Sequence, residues 1–235
     1  MFSLIDTVES VTIVRAGVLL RDPALWYKGY KPQEIREMSL SFGITSQPTV
    51  TLVKTDGLNI LIDPGWQDPG KPDRLLHDLR YFDLTPKDID EIFITHWHRD
   101  HWNGIPLFPG VKVTYAGIGL SVIKKHLGPE SENRELVKLR EADEWHSGME
   151  LLSTTGHSSH DHSVKISLKD KVCIASGDAI VSKMYYNTKT FFPNHRVEKY
   201  KDDLLASYDK IVSRADFIIP GHDTPFINYK KNEYQ

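Results

Sequence analysis

The sequence contains one cysteine, Cys173, which excludes an internal disulfide. Its setting, Val172-Cys173-Ile174-Ala175, predicts a buried core thiol rather than a nucleophile and fits a reducing compartment. No apolar run approaches the roughly 20 residues that span a bilayer, so no membrane association is expected. Positive charge is not in excess either. The 29 Lys+Arg against 32 Asp+Glu leave a net charge of −3, which disfavours nucleic acid without excluding it, since a basic groove can hide within such a sum. The opening stretch Met1-Phe2-Ser3-Leu4-Ile5-Asp6 places an acid where a secretory leader carries basic residues. These absences together predict a soluble, cytoplasmic protein.

The remaining composition is that of a globular chain. With 40% hydrophobic and 26% charged residues and no linker or low-complexity tract, the sequence predicts one domain over residues 1–235. Whether it forms a homo-oligomer is left open.

One hexapeptide stands out: His96-Trp97-His98-Arg99-Asp100-His101, at the end of the apolar run Ile92-Phe93-Ile94-Thr95. Three imidazoles and a carboxylate lose solvation when crowded unless something pairs with them, and a divalent metal is the natural partner. If the run is a strand, His96 and His98 share a face and reach one ion. Asp100 and His101 are adjacent, so they converge on a second ion only if the chain turns. The alternative, surface histidines clustered by accident, leaves three later residues unexplained: His157 in Thr155-Gly156-His157, Asp178 in Ser176-Gly177-Asp178 and His222 in Pro220-Gly221-His222. Each follows a glycine, which lets a ligand enter a cleft without obstruction from the preceding side chain.

Between these motifs the pattern alternates. Residues 8–20 read as a strand or short hairpin. Residues 49–54 and 58–62 flank Asp56-Gly57, a strong tight-turn signal. Leu75, Leu76 and Leu79 fall at helical spacing within 72–82, and Thr85-Pro86 opens a further turn. A strand over 111–116 and a helix over 120–127 follow, with His126 expected as a solvated residue near the helix end. The charged stretch 130–144 reads as surface. Strands are expected over 149–153, 163–168 and 172–176, an amphipathic helix over 200–212 and a strand at 217–219. Strands followed by a helix, twice over, predict an α/β sandwich of two sheets with helices on both outer faces. Residues 21–47 carry Trp26, Tyr27, Tyr30 and Phe42 on a broken pattern, and read either as a loop tucked against the body or as a lid.

The order His-x-His-x-Asp-His, Gly-His, Gly-Asp, Gly-His, with gaps of 56 (101 to 157), 21 (157 to 178) and 44 (178 to 222), resembles the metallo-β-lactamase superfamily. Asn59-Ile60-Leu61-Ile62-Asp63-Pro64-Gly65 resembles its upstream signature, and the match runs from about residue 50 to 225. The resemblance implies a four-layer αββα sandwich with two divalent ions. His96, His98 and His157 would hold one, and Asp100, His101 and His222 the other, with Asp178 bridging. Asp63 and His160 would support these ligands from behind, and His162 would be ordinary. Nitrogen and oxygen donors without thiolate suit zinc, while iron and manganese accept the same set. A water between two cations becomes a hydroxide near neutral pH, and Asp100 can steer it or shuttle its proton.

Several departures bear on substrate. Only 13 residues follow His222, too few for the helical domain with which hydroxyacylglutathione hydrolases grip glutathione, and the sequence shows no long insert of the β-CASP nuclease kind. What remains is a lactonase, esterase or thioesterase acting on a small molecule. Quorum-quenching lactonases place a tyrosine three residues after the bridging aspartate, where this chain has Val181, leaving Tyr185 or Tyr186 as candidate substrate contacts. Trp97, Trp102, Phe191 and Phe192 could also wall an apolar pocket, with core packing an equal explanation. The stretch Asn103 to Pro109 resembles the small metallo-β-lactamase domain-containing branch, which keeps a phosphodiesterase or ribonuclease reading open. A mononuclear iron persulfide dioxygenase and a non-catalytic scaffold are the remaining alternatives.

Overall fold

Side chains alternate across each strand, and that alternation builds the layers. The computed structural model describes residues 7–19, 29–31, 33, 34, 37, 41, 47–65, 73–190 and 199–234. Trp26, Tyr27, Phe42, Phe191 and Phe192 lie outside the described residues; Tyr30, from the same stretch as the first three, is exposed. The first sheet runs in chain order: β1 (Ser10–Arg15), β2 (Val50–Thr55), β3 (Leu58–Ile62), β4 (Glu91–Ile94), β5 (Lys112–Tyr115) and β6 (Leu136–Lys138). The second contains β7 (Glu144–His146), β8 (Met149–Ser153), β9 (His162–Ser167), β10 (Val172–Gly177), β11 (Phe217–Pro220) and β12 (Phe226–Ile227), also in sequential neighbour order. Among the described residues, five α-helices accompany them: α1 (Asp73–Tyr81), the single turn α2 (Arg99–Trp102), α3 (Leu120–Leu127), α4 (Lys183–Thr188) and α5 (Lys201–Val212).

Three apolar clusters fix the stacking. Leu52, Leu61, Ile92 and Ile94 point from the first sheet onto Leu75 and Leu79 of α1 and Ile123 and Leu127 of α3. Their alternates Val53, Ile60, Ile62 and Phe93 face Met149, Leu151, Val164, Ile166, Cys173 and Ala175 of the second sheet. On its far side, Leu152, Ile174 and Ile218 meet Tyr185 and Tyr186 of α4 and Tyr208, Ile211 and Val212 of α5. The order is helix, sheet, sheet, helix, the sandwich expected from sequence. Cys173 is buried in the middle layer, and burial pushes its thiol up to about 12.

The β2–β3 hairpin turns at Asp56 and Gly57, both at positive φ (54° and 74°), as a two-residue loop requires. From β3 to β6 the strands are parallel, so β3 and β4 end at one edge of the sandwich, and the two sheets close on each other there. His162 N donates to Thr95 O at 2.9 Å. A Cβ on Gly177 would stand 2.5 Å from Thr95 Oγ1. At the opposite end of β4, buried Glu91 accepts from Thr114 Oγ1 (2.7 Å), Trp145 Nε1 (3.1 Å) and His146 Nε2 (2.9 Å), and pairs with Lys112 (2.5 Å). It bolts the first sheet to β7 of the second.

Three elements differ from expectation. β6 and β7 begin or end within the charged stretch read as surface; at three residues each, they are too short to show a period. Helix α4 was not expected either. Ser182 caps it by accepting from Tyr185 N at 3.2 Å, and six residues carry too little pattern to show that signal.

Candidate metal centre

The closed edge gathers seven side chains. Residues 95–98 leave β4 through a bend and enter α2, whose one helical turn brings Asp100 and His101 to the His222 side, with the His101 ring still 4.1 Å from that of His96. That is the turn required for two separate groups. Gly156 and His157 sit in the loop between β8 and β9, Asp178 just past β10 and His222 just past β11. Ligand atoms of His96, His98, His157 and Asp178 lie within 4.8 Å of one another, and so do those of Asp100, His101 and His222.

In the first group, His98 Nδ1 stands 3.0 Å from His96 Nε2 and 2.9 Å from His157 Nε2. Such spacings are close to the edge of a polyhedron with metal–nitrogen bonds of about 2.0–2.1 Å. In the second group, His101 Nε2 and His222 Nε2 face each other at 3.2 Å. Asp178 spans the two groups. Its Oδ2 is 3.1 Å from His157 Nε2, and its Oδ1 is 3.4 Å from both His101 Nε2 and His222 Nε2. Asp100 Oδ2 is 3.4 Å from His222 Nε2.

The tautomers follow from the surroundings. His222 Nδ1 points at Gln47 O (2.8 Å), which only accepts, and His101 Nδ1 at the Asp63 carboxylate (2.8 Å). Both Nδ1 atoms therefore carry the hydrogen, and in the neutral rings both Nε2 lone pairs aim at one point. His96 is set the same way, because Thr95 Oγ1 donates to Asp63 Oδ2 (2.6 Å) and is left to accept from His96 Nδ1 (3.2 Å). Converging lone pairs repel unless a cation sits among them, so the residues present fit divalent ions.

Electrostatics differ between the groups. Burial holds His96 well below the ordinary histidine value, lowers His157 and takes His98 down to about 4. Burial acts the same way on His101 and His222, but the Asp178 carboxylate, joined by Asp63 at His101, outweighs it and raises both. Burial opposes the Asp178 charge, yet His222, His101 and His157 keep its carboxyl well below the usual range.

Two supports were not singled out from sequence. The Asp161 carboxylate accepts from both the backbone N and the Oγ of Ser158, closing the turn that carries His157. An acid three residues after a serine was the available signal. Thr95, described above, is the second. Asp63 Oδ2 stands 2.8 Å from His101 Nδ1, on a residue with a φ of 52°. His160 packs against Gly117, and its carbonyl accepts from His162 Nδ1 at 3.0 Å.

Tyr185 and Tyr186 are placed differently from the pocket wall expected of them. Both are buried in the outer helical layer, where Tyr186 donates to Asn228 Oδ1 at 2.7 Å and its ring meets Phe226. The ring-rich helix packs inward because the second sheet needs an apolar cover. Trp97 is buried too, with Trp102 donating to its carbonyl (3.2 Å) and the exposed His126 stacked on its ring.

With this geometry in place, the comparisons are specific about class. The model of the metallo-beta-lactamase superfamily matches residues 43–222. The chain belongs to that superfamily. Metallo-beta-lactamase domain-containing protein 1 of Xenopus laevis is 26% identical over 189 residues, covering 76% of this chain and 71% of that protein. An uncharacterized Caenorhabditis elegans protein is 21% identical over 183 residues, 76% of this chain; the matched part is about half (48%) of that protein's length. Among solved structures, an N-acyl homoserine lactone hydrolase with N-hexanoyl-L-homoserine at its catalytic metal centre superposes with a TM-score of 0.64 at 19% identity, covering 92% of this chain and 94% of that one. Hydrolase AbOPH gives 0.65 at 18%, covering 94% and 91%. These likenesses establish the shared fold. Among the described residues, no helix is long and apolar enough to cross a membrane.

Proposed function

We propose that this chain is a two-metal hydrolase acting on the carbonyl of a small ester, lactone or thioester. In this reading His96, His98 and His157 hold one ion, Asp100, His101 and His222 hold the other, and Asp178 bridges them. Zinc is the first choice for this nitrogen and oxygen donor set. The observation that carries the reading is the Asp178 carboxylate, which presents one oxygen to each group of imidazoles. Bound there, the ions supply Lewis acidity and lower the pKa of a coordinated water from ~15.7 towards ~7.

The chain's own residues do the rest. Asp178 and Asp100 bring negative charge that offsets two cations in a buried site. Asp100, partly exposed, is placed to hold the proton released at the nucleophile and pass it to the departing oxygen or sulfur. The tautomers set by Gln47 and Asp63 keep His222 and His101 ready to ligate without reorganisation. Similarity to a lactone hydrolase with product at its metal centre supports a carbonyl substrate, while Val181 at the place of that family's tyrosine favours a substrate other than an acyl homoserine lactone.

The test joins metal analysis to a panel of lactones, thioesters, esters and phosphodiesters. Two ions per chain with turnover of a carbonyl substrate is the expected result. One ion per chain, or turnover of phosphodiesters alone, overturns the reading.

A further inference from the structure

His222 is held by its neighbours as well as through its ring. Thr49, at the entrance to β2, is buried at 4% exposure. Its backbone N donates to Gly221 O at 2.6 Å, and its Oγ1 donates to Asp223 O at 2.9 Å. One residue thus grips the carbonyl on each side of His222. The hydroxyl is itself oriented, because Gly17 N donates to it at 3.1 Å. With one bond accepted and its single hydrogen committed, it has one direction left to point.

The surroundings make this grip tight. A Cβ on Gly17 would stand 2.6 Å from both His222 Cα and Thr49 Oγ1, so the three segments pack without room for a side chain. Two residues before Thr49, Gln47 exchanges both backbone hydrogen bonds with Val18 (2.8 and 2.9 Å), and Gln47 O accepts from the His222 ring. From the turn after β10, Val181 O accepts from His222 N at 2.8 Å. The segment leading into β2 therefore supplies the carbonyl for the ring and the two anchors for the backbone, and the Thr49 hydroxyl is the one of these anchors that a side-chain change removes.

We propose that Thr49 is a positioning residue for His222, and that its hydroxyl sets the affinity of the ion held by Asp100, His101 and His222 while leaving the other ion almost unaffected. This rests on the two-metal reading above. Thr49 touches neither ion nor substrate in this scheme; it acts through the backbone on either side of one ligand. Outer contacts that orient a ligand typically change metal affinity 10–100-fold.

The test uses the full chain loaded with two equivalents of zinc and titrated with a competing chelator, in wild type, Thr49→Val, Thr49→Ala and Thr49→Ser. Thr49→Val and Thr49→Ala should release one ion 10–100-fold more readily and the other within about threefold of wild type. Thr49→Ser, which keeps the hydroxyl, should behave as wild type. The His222 ring N–H resonance gives a second readout: it should shift or broaden in the two variants lacking the hydroxyl and stay in place in Thr49→Ser. Equal weakening of both ions, or no weakening of either, overturns the proposal. So does a loss that tracks the methyl, with Thr49→Ser matching Thr49→Ala. If Thr49→Val fails to fold, Thr49→Ala against Thr49→Ser decides alone. A wild-type chain holding one ion sinks the two-metal reading instead, and the His222 resonance then still decides the role of Thr49.

Discussion

Asp63 and His101 are 38 residues apart in sequence and 2.8 Å apart in space, carboxylate Oδ2 against ring Nδ1. The same carboxylate accepts from Thr95 N (2.8 Å) and Thr95 Oγ1 (2.6 Å), so one buried acid sets the tautomer of His101 and fixes the start of the ligand loop. Asp63→Asn keeps the shape but turns one acceptor into a donor. We expect metal affinity to fall about 10–100-fold, measured by chelator competition. An unchanged affinity would show that the His101 tautomer is set elsewhere.

Asp178→Ala removes a carboxylate that faces both groups. Metal content should fall below two ions per chain, with activity lost alongside it. Asp100→Asn should retain the ion of the His96, His98 and His157 group and lose roughly 10²–10⁴-fold in turnover, the usual contribution of a positioned acid or base. Elemental analysis beside kcat separates the two cases, and full activity in Asp178→Ala would falsify the bridging assignment.

Gly221 has no room for a side chain: a Cβ there would stand 2.0 Å from Asp178 Oδ1. Gly221→Ala should displace that carboxylate by enough to cost on the order of 10²-fold in rate, since misplacements near 1 Å carry that penalty. Normal kinetics and metal content in this variant would mean that Asp178 has more freedom than its burial suggests.

The two groups should part company on acidification. Protons compete with metal for the ligating imidazoles. His101 and His222 bind protons more readily than an ordinary histidine, so competition at their group begins above pH 6.5; His96, His98 and His157 are held lower, with His98 near 4. As pH falls, the ion of the Asp100, His101 and His222 group should leave first. Metal content followed by dialysis at stepped pH should pass through a plateau of one ion per chain, and simultaneous loss of both would contradict this ordering.

Away from the metal end, Glu91 is buried, and that alone would raise its carboxyl; Lys112, Thr114 and His146 outweigh burial and lower it. Because the folded value lies below the unfolded one, its contribution to stability is present above about pH 4.5 and is lost as pH falls through the folded value. Glu91→Gln should destabilise the chain by about 1–3 kcal/mol at neutral pH and flatten the acid limb of the stability curve, seen in urea titrations at several pH values.

Much of this was legible in the sequence because it rests on local signals. The Asp56-Gly57 turn, the leucine spacing of α1 and the ligand motifs each declare themselves within a few residues. What stayed hidden depends on contacts between distant segments. Thr49 and Glu91 are unremarkable in sequence, and their roles exist only once another strand or loop arrives beside them. Tyr185 and Tyr186 were misplaced for the same reason: being near Asp178 in sequence says nothing about which side of β10 the following helix covers.

The ligands are divided between early and late parts of the chain, with 121 residues separating His101 from His222. At ribosomal speeds of about 5–20 residues per second, the hexapeptide emerges roughly 6–24 s before its last partner. During that interval a nascent chain displays an incomplete, oxygen- and nitrogen-rich trap open to whichever cation the cell offers. On the proposed two-metal reading, loading would be a matter of timing as well as affinity, and the ion of the group that His222 completes would be acquired, or exchanged, after translation has passed residue 222.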